Sequence, residues 1–528
     1  MALPMRRIAA CVQRYPDRTA LHLGSRRISY AELWSRAQSI ADAITDGGLS
    51  KHRFVGLLAS RELSAYTGVL AIMGTRRAVV PIDPDDPPAR IHQWMRHAGL
   101  DTLVVGASAV DRIESLLRRT ERPLSIIAPD ADPLRELSAR YPRHRYTTCV
   151  DLAGRRSPLL IDQIEEDDPA YLVRTSGSSA EPRGVAVSHG RLQHYLEAAE
   201  KRHPLSHRDR CSHTFPLSFD LSFHDLFTTW SAGATLVAWR PQKGIEPARL
   251  INEHRLTRWF SVPQVAMTME RMAELVPGRF PHLRRSLFCG EALPDGVARA
   301  WAKAAPQSAI YNLYGPAETT IAISDHHYRT DQPSRTCRRS TVCLGRIFEG
   351  HRAMIVGADG RRTGVDEPGE LWLAGPQVCQ GYWDEGKDER FVERDEGRGT
   401  WFRTGDLVER DSQGRLHFLG RTDHRIKIGG HHVDLLEVDR ALQNACGHSQ
   451  ACTVAWPRDA TRVYGLVGFV ACSDDDDFDE RHILARCRRV LSRPMVPHRI
   501  VALPQLPTNG HGKLDRRAMQ HLLRQREV

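Results

Sequence analysis

The sequence predicts an α/β protein that ends in a smaller α+β domain. Through the first three-quarters of the 528 residues, short apolar runs typical of buried parallel strands alternate with helical segments. From about residue 365 the apolar runs become shorter and are bounded by glycine, as at 369–375 and 414–420. The last hundred residues alternate again on a smaller scale, which is typical of a compact α+β unit.

The candidate strands of the α/β part are apolar runs of six residues between polar or turn residues. They are 54–59, 77–82, 101–106, 124–129, 234–239 and 285–290. The intervening segment 87–99 begins with proline and ends with glycine, as a helix does. The pattern changes near 420–430, so we predict an N-terminal core of residues 1–422 and a C-terminal domain of residues 423–528.

Composition narrows the possible functions. The chain is 41% hydrophobic and 26% charged, as globular proteins are, and no apolar run reaches the roughly 18 residues of a membrane helix. Arg6, Arg7, Gln13 and Arg14 interrupt the N-terminal stretch, which is therefore not read as a secretory signal. The 11 cysteines include no CxxC pair, and this favours reduced thiols in a cytoplasmic protein.

The chain is basic, with 74 lysine and arginine residues against 64 aspartate and glutamate residues and a net charge of +10. This charge suits a solvated surface, a patch that steers an acidic protein partner, or nucleic-acid binding. The basic residues are dispersed as pairs, without a long basic arm or a nucleic-acid-binding signature. Nucleic-acid binding is therefore the least favoured of these three explanations for the charge.

A polar loop at 175–184, TSGSSAEPRG, combines hydroxyl groups, glycine and a cation. It follows the apolar run 168–174 and precedes a helix start at 188–196. Hydroxyl and backbone N–H groups beside a cation can surround a polyphosphate, although the GxxxxGK[ST] phosphate loop is absent. Taken alone, the stretch could equally be a polar hairpin loop.

Nine further motifs accompany this loop along the chain, and the series resembles the adenylate-forming enzymes. That superfamily comprises the acyl-CoA synthetases, the luciferases and the amino-acid adenylation domains of nonribosomal peptide synthesis. The motifs are ISYAEL (28–33), RAVVPIDPDDPPARI (77–91), FDLSFHDLF (219–227), YNLYGPAETT (311–320), GELWLAGPQVCQGYW (369–383), FRTGDL (402–407), GRTDHRIKIGGHHVDLLEVD (420–439), LSRPMVPHRIVALPQLP (491–507) and NGHGKLDR (509–516).

The resemblance implies both a fold and a reaction. The fold is a large N-terminal domain of stacked α/β subdomains with a small β-barrel-like subdomain, followed by a small mobile α+β C-terminal domain. The reaction joins a carboxylate to AMP from ATP, with Mg²⁺, and releases pyrophosphate. Two anions meet at the α-phosphate, so the reaction needs positive charge there. Lys513 in NGHGKLDR is the implied catalytic cation.

The resemblance also implies roles for individual residues. Glu318 corresponds to the Mg²⁺ ligand and Asp423 to the hinge between the domains. The implied phosphate contacts are Thr175, Ser176, Gly177, Ser178, Ser179, Arg183 and Thr319. The implied adenine and ribose contacts are Gly290, Glu291, Ala292, Asn312, Tyr314, Asp406 and Arg421.

Two residues of the polar loop depart from the family pattern. Arg183 stands where lysine is usual and keeps the charge. Ala180 stands where glycine is usual, and this costs about 1 kcal/mol if the position needs a positive φ. We therefore expect a loop that works, with reduced freedom.

Asp220 is the most informative residue for the substrate class. In the amino-acid adenylation domains an aspartate at this place pairs with the substrate α-ammonium, although an aspartate here could also cap a helix. The resemblance implies further pocket residues besides Asp220. They are Leu221, His224, Ser261, Leu287, Cys289, Leu313, Ile321, Ala322 and Lys513. They offer no partner for a charged side chain, so we expect a small neutral L-amino acid: alanine, serine or cysteine.

The identity of that amino acid stays open at this point. His224 and Ala322 depart from the pattern of cysteine-activating pockets. A pocket separates side chains that differ by one methylene by only about 1–3 kcal/mol. The histidine pairs 326–327 and 431–432 have no carboxylate or cysteine at ligand spacing, and we interpret both pairs as solvated.

The acceptor of the activated acid is inferred from the same resemblance. The sequence ends shortly after the lysine motif, so we expect a free-standing enzyme that serves a separate acidic carrier protein in natural-product biosynthesis. Either the phosphopantetheine thiol of that carrier or an amine already on it could accept the aminoacyl group. Two alternatives remain: an aryl or short-chain acid:CoA or carrier ligase, and a non-catalytic nucleotide-binding relative.

Overall fold

The structure is a computed structural model. It describes residues 2–46, 53–130, 134–175, 183–239, 246–331, 337–338, 340–384, 386, 388–393, 399–423, 425–446, 451–458, 463–472, 478–508 and 514–526. Five of the predicted site residues lie outside these ranges: Ser176, Gly177, Ser178, Ser179 and Lys513. Ala180 lies outside them as well.

The strands up to the middle of the chain are β1 (Thr19–Leu23), β2 (Arg26–Ser29), β3 (Phe54–Leu58), β4 (Ala78–Ile82), β5 (Thr102–Val105), β6 (Ser125–Ala128), β7 (Arg145–Thr148), β8 (Pro169–Thr175), β9 (Arg183–Ser188), β10 (Arg210–His213), β11 (Thr235–Ala238), β12 (Arg258–Ser261), β13 (Arg285–Phe288) and β14 (Ala309–Tyr314). The later strands are β15 (Ser324–Tyr328), β16 (Cys337–Arg338), β17 (Thr341–Val342), β18 (Arg346–Ile347), β19 (Arg352–Val356), β20 (Gly369–Ala374), β21 (Phe391–Glu393), β22 (Thr400–Arg410), β23 (Leu416–Arg421), β24 (Arg425–Ile428), β25 (His431–Asp434), β26 (Ala451–Arg458), β27 (Val463–Ala471) and β28 (Arg499–Leu503).

The helices are α1 (Pro4–Arg14), α2 (Tyr30–Asp46), α3 (Leu63–Gly74), α4 (Pro88–His97), α5 (Val110–Leu117), α6 (Leu134–Arg140), α7 (Cys149–Leu152), α8 (His189–Arg202), α9 (Leu221–Ser231), α10 (Pro247–Glu253), α11 (Pro263–Arg271), α12 (Asp295–Ala304), α13 (Leu435–Cys446), α14 (Glu480–Arg488) and α15 (Arg516–Arg526). Among the described residues, no helix combines the length and the apolar composition that crossing a bilayer requires.

Two large sheets of mostly parallel strands form the N-terminal part, as the alternating pattern predicts. The first has the strand order β7-β6-β5-β3-β4-β8-β9, and β9 pairs antiparallel with β8. The second has the order β18-β15-β14-β13-β12-β10-β11-β1-β2, with antiparallel strands at both ends. The six strands predicted from apolar runs correspond to β3, β4, β5, β6, β11 and β13.

Helix α3 lies in the apolar interior that the two sheets share. Every residue of this helix is buried, and its apolar side chains cover the whole circumference rather than one stripe. Tyr66 of α3 contacts Trp230 of α9 with 6.4 Å between ring centroids, and its hydroxyl bonds to His213 of β10 at 2.9 Å. The α/β prediction for this part of the chain is confirmed.

The smaller sheets follow in chain order. Strands β19 to β23 form a five-stranded antiparallel sheet where the sequence predicts a barrel-like subdomain. Beyond it lie the hairpin β24–β25 and a three-stranded sheet of order β26-β27-β28, on which α13 and α15 pack. Two hydrophobic clusters of this last part draw all their members from residues 426–523, so it has its own core.

The C-terminal part contacts the N-terminal part at the carboxyl ends of the parallel strands. The Gly430 N–H donates to Glu291 Oε1 at 2.8 Å, and the His431 ring stands perpendicular to Phe219 with 4.5 Å between centroids. At the rim, an ion pair of 2.6 Å joins Arg90 to Glu437. These contacts place the β24–β25 turn over the edge where parallel sheets bind ligands.

We expect alanine at Gly345 to destabilise the protein far more than alanine at Gly350. Both glycines have positive φ, +79° and +83°, so both substitutions carry a backbone strain of roughly 1–2 kcal/mol. A Cβ at Gly345 would lie 1.8 Å from the carbonyl oxygen of Asp325, whereas no atom lies within 4 Å at Gly350. Thermal unfolding of both variants measures the difference, and equal melting temperatures would show that the Gly345 contact relaxes without cost.

Candidate active site

A cavity opens where the carboxyl ends of β4, β8 and β13 meet the hairpin β24–β25. Its walls come from both parts of the chain. The N-terminal contributions are 81–83, Asp86, Arg90, Ile91, Trp94, 173–175, 218–221, 289–290, Gly315 and Ala317. The C-terminal contributions are Lys427, 430–432, Ser492 and 494–495. Ligands of open α/β sheets bind in the crevice beyond the carboxyl ends of the strands, so this cavity is the expected place for one.

Asp220 lies on the wall of this cavity, directly before helix α9. The Ile321 N–H donates to its Oδ2 at 3.2 Å. Burial raises the pKa of the carboxyl group to about 7, although the N–H groups of Ile321 and Leu221 and the Lys427 ammonium act in the opposite direction. An incoming ammonium group would therefore find a carboxylate whose charge is poorly solvated, and would pair with it favourably.

The other predicted pocket residues divide into two sets. Leu221 and Cys289 line the cavity beside Asp220. The remaining six lie behind that wall, with at most 3% of their surface exposed, and they do not line the cavity: His224, Ser261, Leu287, Leu313, Ile321 and Ala322. The Ser261 hydroxyl is already used, since it accepts from Trp259 Nε1 at 2.9 Å and donates to the Val262 carbonyl at 3.1 Å.

The loop that carries Ile321 is strained, and Gln377 holds it. Thr320 and Ile321 have φ of +58° and +70°, unusual for residues with branched side chains. The buried Gln377 amide donates to the carbonyl groups of Thr319, Thr320 and Ala322 at 2.9–3.2 Å. A Cβ at Gly315 would lie 2.6 Å from the Ala322 Cα, so glycine is needed where the two segments pass.

Glu318 is buried at the bottom of the same loop. Its Oε1 accepts a hydrogen bond from the Tyr382 hydroxyl at 2.7 Å, and Arg390 donates to that hydroxyl at 3.0 Å. Thr319 is fully buried and its hydroxyl donates to the Pro316 carbonyl at 2.9 Å. Among the described residues, no three His, Cys, Asp or Glu side chains are grouped to hold a metal ion.

Asp406 and Tyr314 lie together, and Arg421 connects them to Asp423. The Tyr314 hydroxyl donates to Asp406 Oδ2 at 2.5 Å, and Arg421 donates to Asp406 Oδ1. The same guanidinium donates to both oxygens of Asp423 at 2.7 and 2.8 Å. Burial alone would lower the pKa of Arg421, but the Asp406 and Asp423 carboxylates raise it.

Arg183 begins β9, directly after the undescribed part of the polar loop. Its guanidinium pairs with Asp388 at 2.8 Å and lies over the Tyr382 ring, 4.9 Å from the centroid. Thr175, at the other end of that loop, lines the cavity, and its buried hydroxyl has no partner among the described residues. The structure thus brings the two described ends of the predicted phosphate loop to the cavity region.

The residues predicted to contact adenine form a second group. Glu291 accepts from the Gly430 and Gln264 N–H groups, so it links the two parts of the chain. Gly290 lines the cavity with φ of +95°, and Ala292 is half-buried beside it. Asn312 Nδ2 donates to the Val342 and Cys343 carbonyls, whereas its buried Oδ1 has no partner in the described part of the chain.

The interpretation of the histidine pair 431–432 as solvated is wrong. Both side chains are half-buried and line the cavity, because the β24–β25 hairpin folds over it. Burial lowers the pKa of His431 to about 4 and that of His432 well below its usual range. Of the other pair, His326 is half-buried with a pKa lowered to about 4, whereas His327 is exposed.

Several site residues escaped prediction from sequence. Gln377, Tyr382 and Arg390 act on the loop and on Glu318, and Lys427 lines the cavity. Three of these four lie in stretches that the resemblance had marked, 369–383 and 420–439, so position within a motif was an available signal. Arg390 lies outside every motif, and only its place in the fold identifies it.

Comparisons with known proteins agree with this geometry. L-proline--[L-prolyl-carrier protein] ligase of Streptomyces coelicolor is 29% identical over 94% of this chain and 92% of its own length. Delta-poly-L-ornithine synthetase of Acinetobacter baumannii is 27% identical over 97% of this chain, which spans 36% of that relative. The Vibrio cholerae adenylation domain AlmE, solved with glycyl-adenosine-5'-phosphate, superposes with a TM-score of 0.89 at 30% identity and covers 99% of this chain and 98% of its own.

A family model provides the remaining comparison. The model described as AMP-binding enzyme matches residues 8–383, which include the polar loop, Asp220 and the loop around Glu318. The match covers more than half of the chain. The chain belongs to the AMP-binding enzyme family.

Proposed function

We propose that this protein is an ATP-dependent ligase that activates a small neutral α-amino acid as its aminoacyl-AMP and passes it to a carrier protein in the cytoplasm. Asp220 carries the proposal. It is a carboxylate on the wall of the cavity, and nothing in the described residues gives it a side-chain cation within bonding distance. An acid that lacks an α-ammonium group would leave this poorly solvated charge unpaired.

In the first step, an oxygen of the amino-acid carboxylate attacks the α-phosphorus of ATP. A new bond joins that oxygen to phosphorus, and the bond to the bridging oxygen of pyrophosphate breaks. Asp220 holds the substrate ammonium while Asp406 accepts from the ribose hydroxyl groups. Thr175 and Arg183 contact the phosphates, and Lys513 supplies the positive charge between carboxylate and α-phosphate.

The residues around Glu318 fit a Mg²⁺ ion that arrives with ATP. Such ions are bound by one or two carboxylates together with substrate phosphates and water rather than by a cage of protein ligands. Glu318 would hold the ion, with Tyr382 and Arg390 fixing the orientation of its carboxylate. Bound there, the ion would neutralise charge on the pyrophosphate leaving group.

The adenine would lie against Tyr314 and between the backbone of 290–292 and Asn312. The unpartnered Asn312 Oδ1 is an acceptor suited to the exocyclic amino group of adenine. Arg421 is placed to exchange part of its contact with Asp406 for one with the ribose or phosphate of the nucleotide.

In the second step, the carrier thiol attacks the carbonyl carbon of the adenylate and AMP leaves. The β24–β25 turn with Lys427 faces the cavity here, and the C-terminal part to which it belongs has its own core. This arrangement supports a rotation of residues 423–528 between the two steps, with Asp423 as the hinge. An amine already on the carrier could take the place of the thiol.

A basic groove beside the cavity suits an acidic carrier. It runs between α5 and the segment after α14, and five exposed arginines line it: Arg112, Arg119, Arg488, Arg489 and Arg493. Arg112 pairs with Asp85 at 3.5 Å, and the other four make no ion pair within the described residues. Their charge would steer an acidic surface to the mouth of the cavity.

The apolar wall beside Asp220 supports the small neutral class, with alanine, serine and cysteine as the residues that the pocket positions suggest. The names of two relatives, a prolyl-carrier protein ligase and an adenylation domain solved with a glycyl adenylate, extend the candidates to proline and glycine.

We would trap adenylates with hydroxylamine in the presence of ATP and Mg²⁺, and test each proteinogenic amino acid against benzoate and short fatty acids. Product from benzoate or the fatty acids alone would favour the aryl or short-chain acid ligase. No product from any substrate would favour the non-catalytic relative.

The activity should depend on the ionisation of Asp220. Its pKa is raised to about 7, so the carboxyl group is charged above that pH and neutral below it. Only the charged form pairs with the ammonium, and kcat/KM for the amino acid should fall by up to tenfold per pH unit below about 7. Pyrophosphate exchange between pH 5.5 and 8 measures this, with kcat/KM for ATP as the internal control. A flat profile for the amino acid would contradict the pairing.

Replacing Lys513 by alanine should separate the two steps. Adenylate formation should fall at least about 100-fold, because a cation that stabilises the transition state is lost. Transfer from a chemically prepared aminoacyl-AMP to the carrier should persist, since the proposed second step does not use this lysine. Lys303→Ala, on the exposed side of α12, is the matched control, and an equal loss of both steps in Lys513→Ala would count against the rotation.

Reversing charge in the basic groove should impair carrier loading. We expect Arg488→Glu with Arg489→Glu to lower kcat/KM for the carrier about tenfold or more, with amino-acid-dependent pyrophosphate exchange retained. The same charge change at Arg361 and Arg362, exposed on the turn after β19, is the control. The deficit should shrink in high salt, and full loading by the groove variant would place the carrier elsewhere.

A further inference from the structure

Two aromatic side chains are joined behind the wall that carries Asp220. The Tyr195 hydroxyl of α8 bonds to His224 Nδ1 of α9 at 2.6 Å, and neither residue has exposed surface. Burial lowers the pKa of His224 well below its usual range, so the imidazole is neutral. Its other face meets Phe260, with 4.7 Å between ring centroids.

Tyr195 belongs to the hydrophobic cluster behind the cavity wall. That cluster also includes Leu221 and Cys289, which line the cavity. The charges of Cys289 and Asp220 add to the upward shift that burial causes in the pKa of the Tyr195 phenol, which agrees with this packing. Leu287, Ile321 and Ala322, which surround the same space, have no exposed surface. The volume behind Asp220 is therefore filled by protein.

The pair is also held firmly in place. A buried hydroxyl that loses its partner costs roughly 1–3 kcal/mol, so moving Tyr195 away from His224 would be unfavourable. The Phe260 ring packs against His224, so displacing the imidazole would also disturb a close-packed interior. A Cβ on the substrate would have to displace this assembly.

We propose that the Tyr195–His224 pair occupies the side-chain subsite and makes glycine the preferred substrate. This rests on the proposed function, because it presumes that Asp220 binds the α-ammonium of an amino acid. It narrows the expectation of alanine, serine or cysteine. Of the pocket positions named from sequence, Asp220, Leu221 and Cys289 form the cavity wall and the other described positions lie behind it, and Tyr195, which that set omits, packs among them. Discrimination against one added methyl group should be about 10- to 200-fold.

The test compares glycine with alanine in two independent measurements. One is kcat/KM in hydroxylamine trapping, and the other is the Kd of the glycyl and alanyl sulfamoyl-adenosine analogues, which needs no turnover. For the wild-type protein both should favour glycine at least tenfold. Tyr195→Ala removes the ring, and His224→Ala opens the other half of the pair; either should raise the alanine-to-glycine ratio at least tenfold. Tyr195→Phe keeps the ring volume and should retain discrimination.

The outcomes separate this inference from the proposed function. Equal affinity of the wild-type protein for the two analogues, or a preference for alanine, overturns the inference and leaves amino-acid activation intact. Unchanged ratios in folded Tyr195→Ala and His224→Ala proteins, as judged by thermal unfolding, also overturn it, as does a Tyr195→Phe variant that accepts alanine as readily as Tyr195→Ala does. Failure of the wild-type protein to form or bind any aminoacyl adenylate overturns both.

Discussion

The double contact of Arg421 is the interaction on which the polar half of the candidate site depends. Its guanidinium bonds to Asp406 and to both oxygens of Asp423, and neighbouring contacts lead from Tyr314 at one end to Arg390, 3.7 Å from Asp423, at the other. Buried charges are tolerated only when they are paired and hydrogen-bonded. Asp406, proposed to bind ribose, and Asp423, proposed as the hinge, therefore share one cation. A nucleotide that hydrogen-bonds to Arg421 would weaken the contact between Arg421 and Asp423.

A second constraint acts on the loop between β14 and β15. Thr320 and Ile321 adopt a backbone conformation that costs free energy, and the Gln377 amide stabilises it through three carbonyl groups. As a result, the Ile321 N–H is directed at Asp220, and Glu318, three residues earlier in the same loop, is buried. One strained turn thus fixes the proposed ammonium site and the proposed metal ligand relative to each other, and strain of this kind is typical of functional loops.

The apolar half of the site works by exclusion. Asp220, Leu221 and Cys289 form its surface, and the Tyr195–His224 pair fills the volume behind them. Specificity for a small substrate needs no contact with that substrate when the competing volume is already occupied. The nucleotide side, by contrast, meets a C-terminal part that has its own core and contacts the rest at places such as Gly430 with Glu291.

The sequence by itself determined the α/β class, the strands β3 to β6, β11 and β13, and the family, because apolar periodicity and motifs consist of contiguous residues. Only the tertiary structure decided that His431 and His432 face the cavity, that Arg390 supports Glu318, and that six predicted pocket residues stand behind its wall. Tyr195 and His224 are separated by 29 residues, and their contact exists because α8 and α9 pack side by side. Packing between distant segments decides which part of the site is filled by side chains and which part is left as a cavity. Local sequence patterns carry no information about that packing.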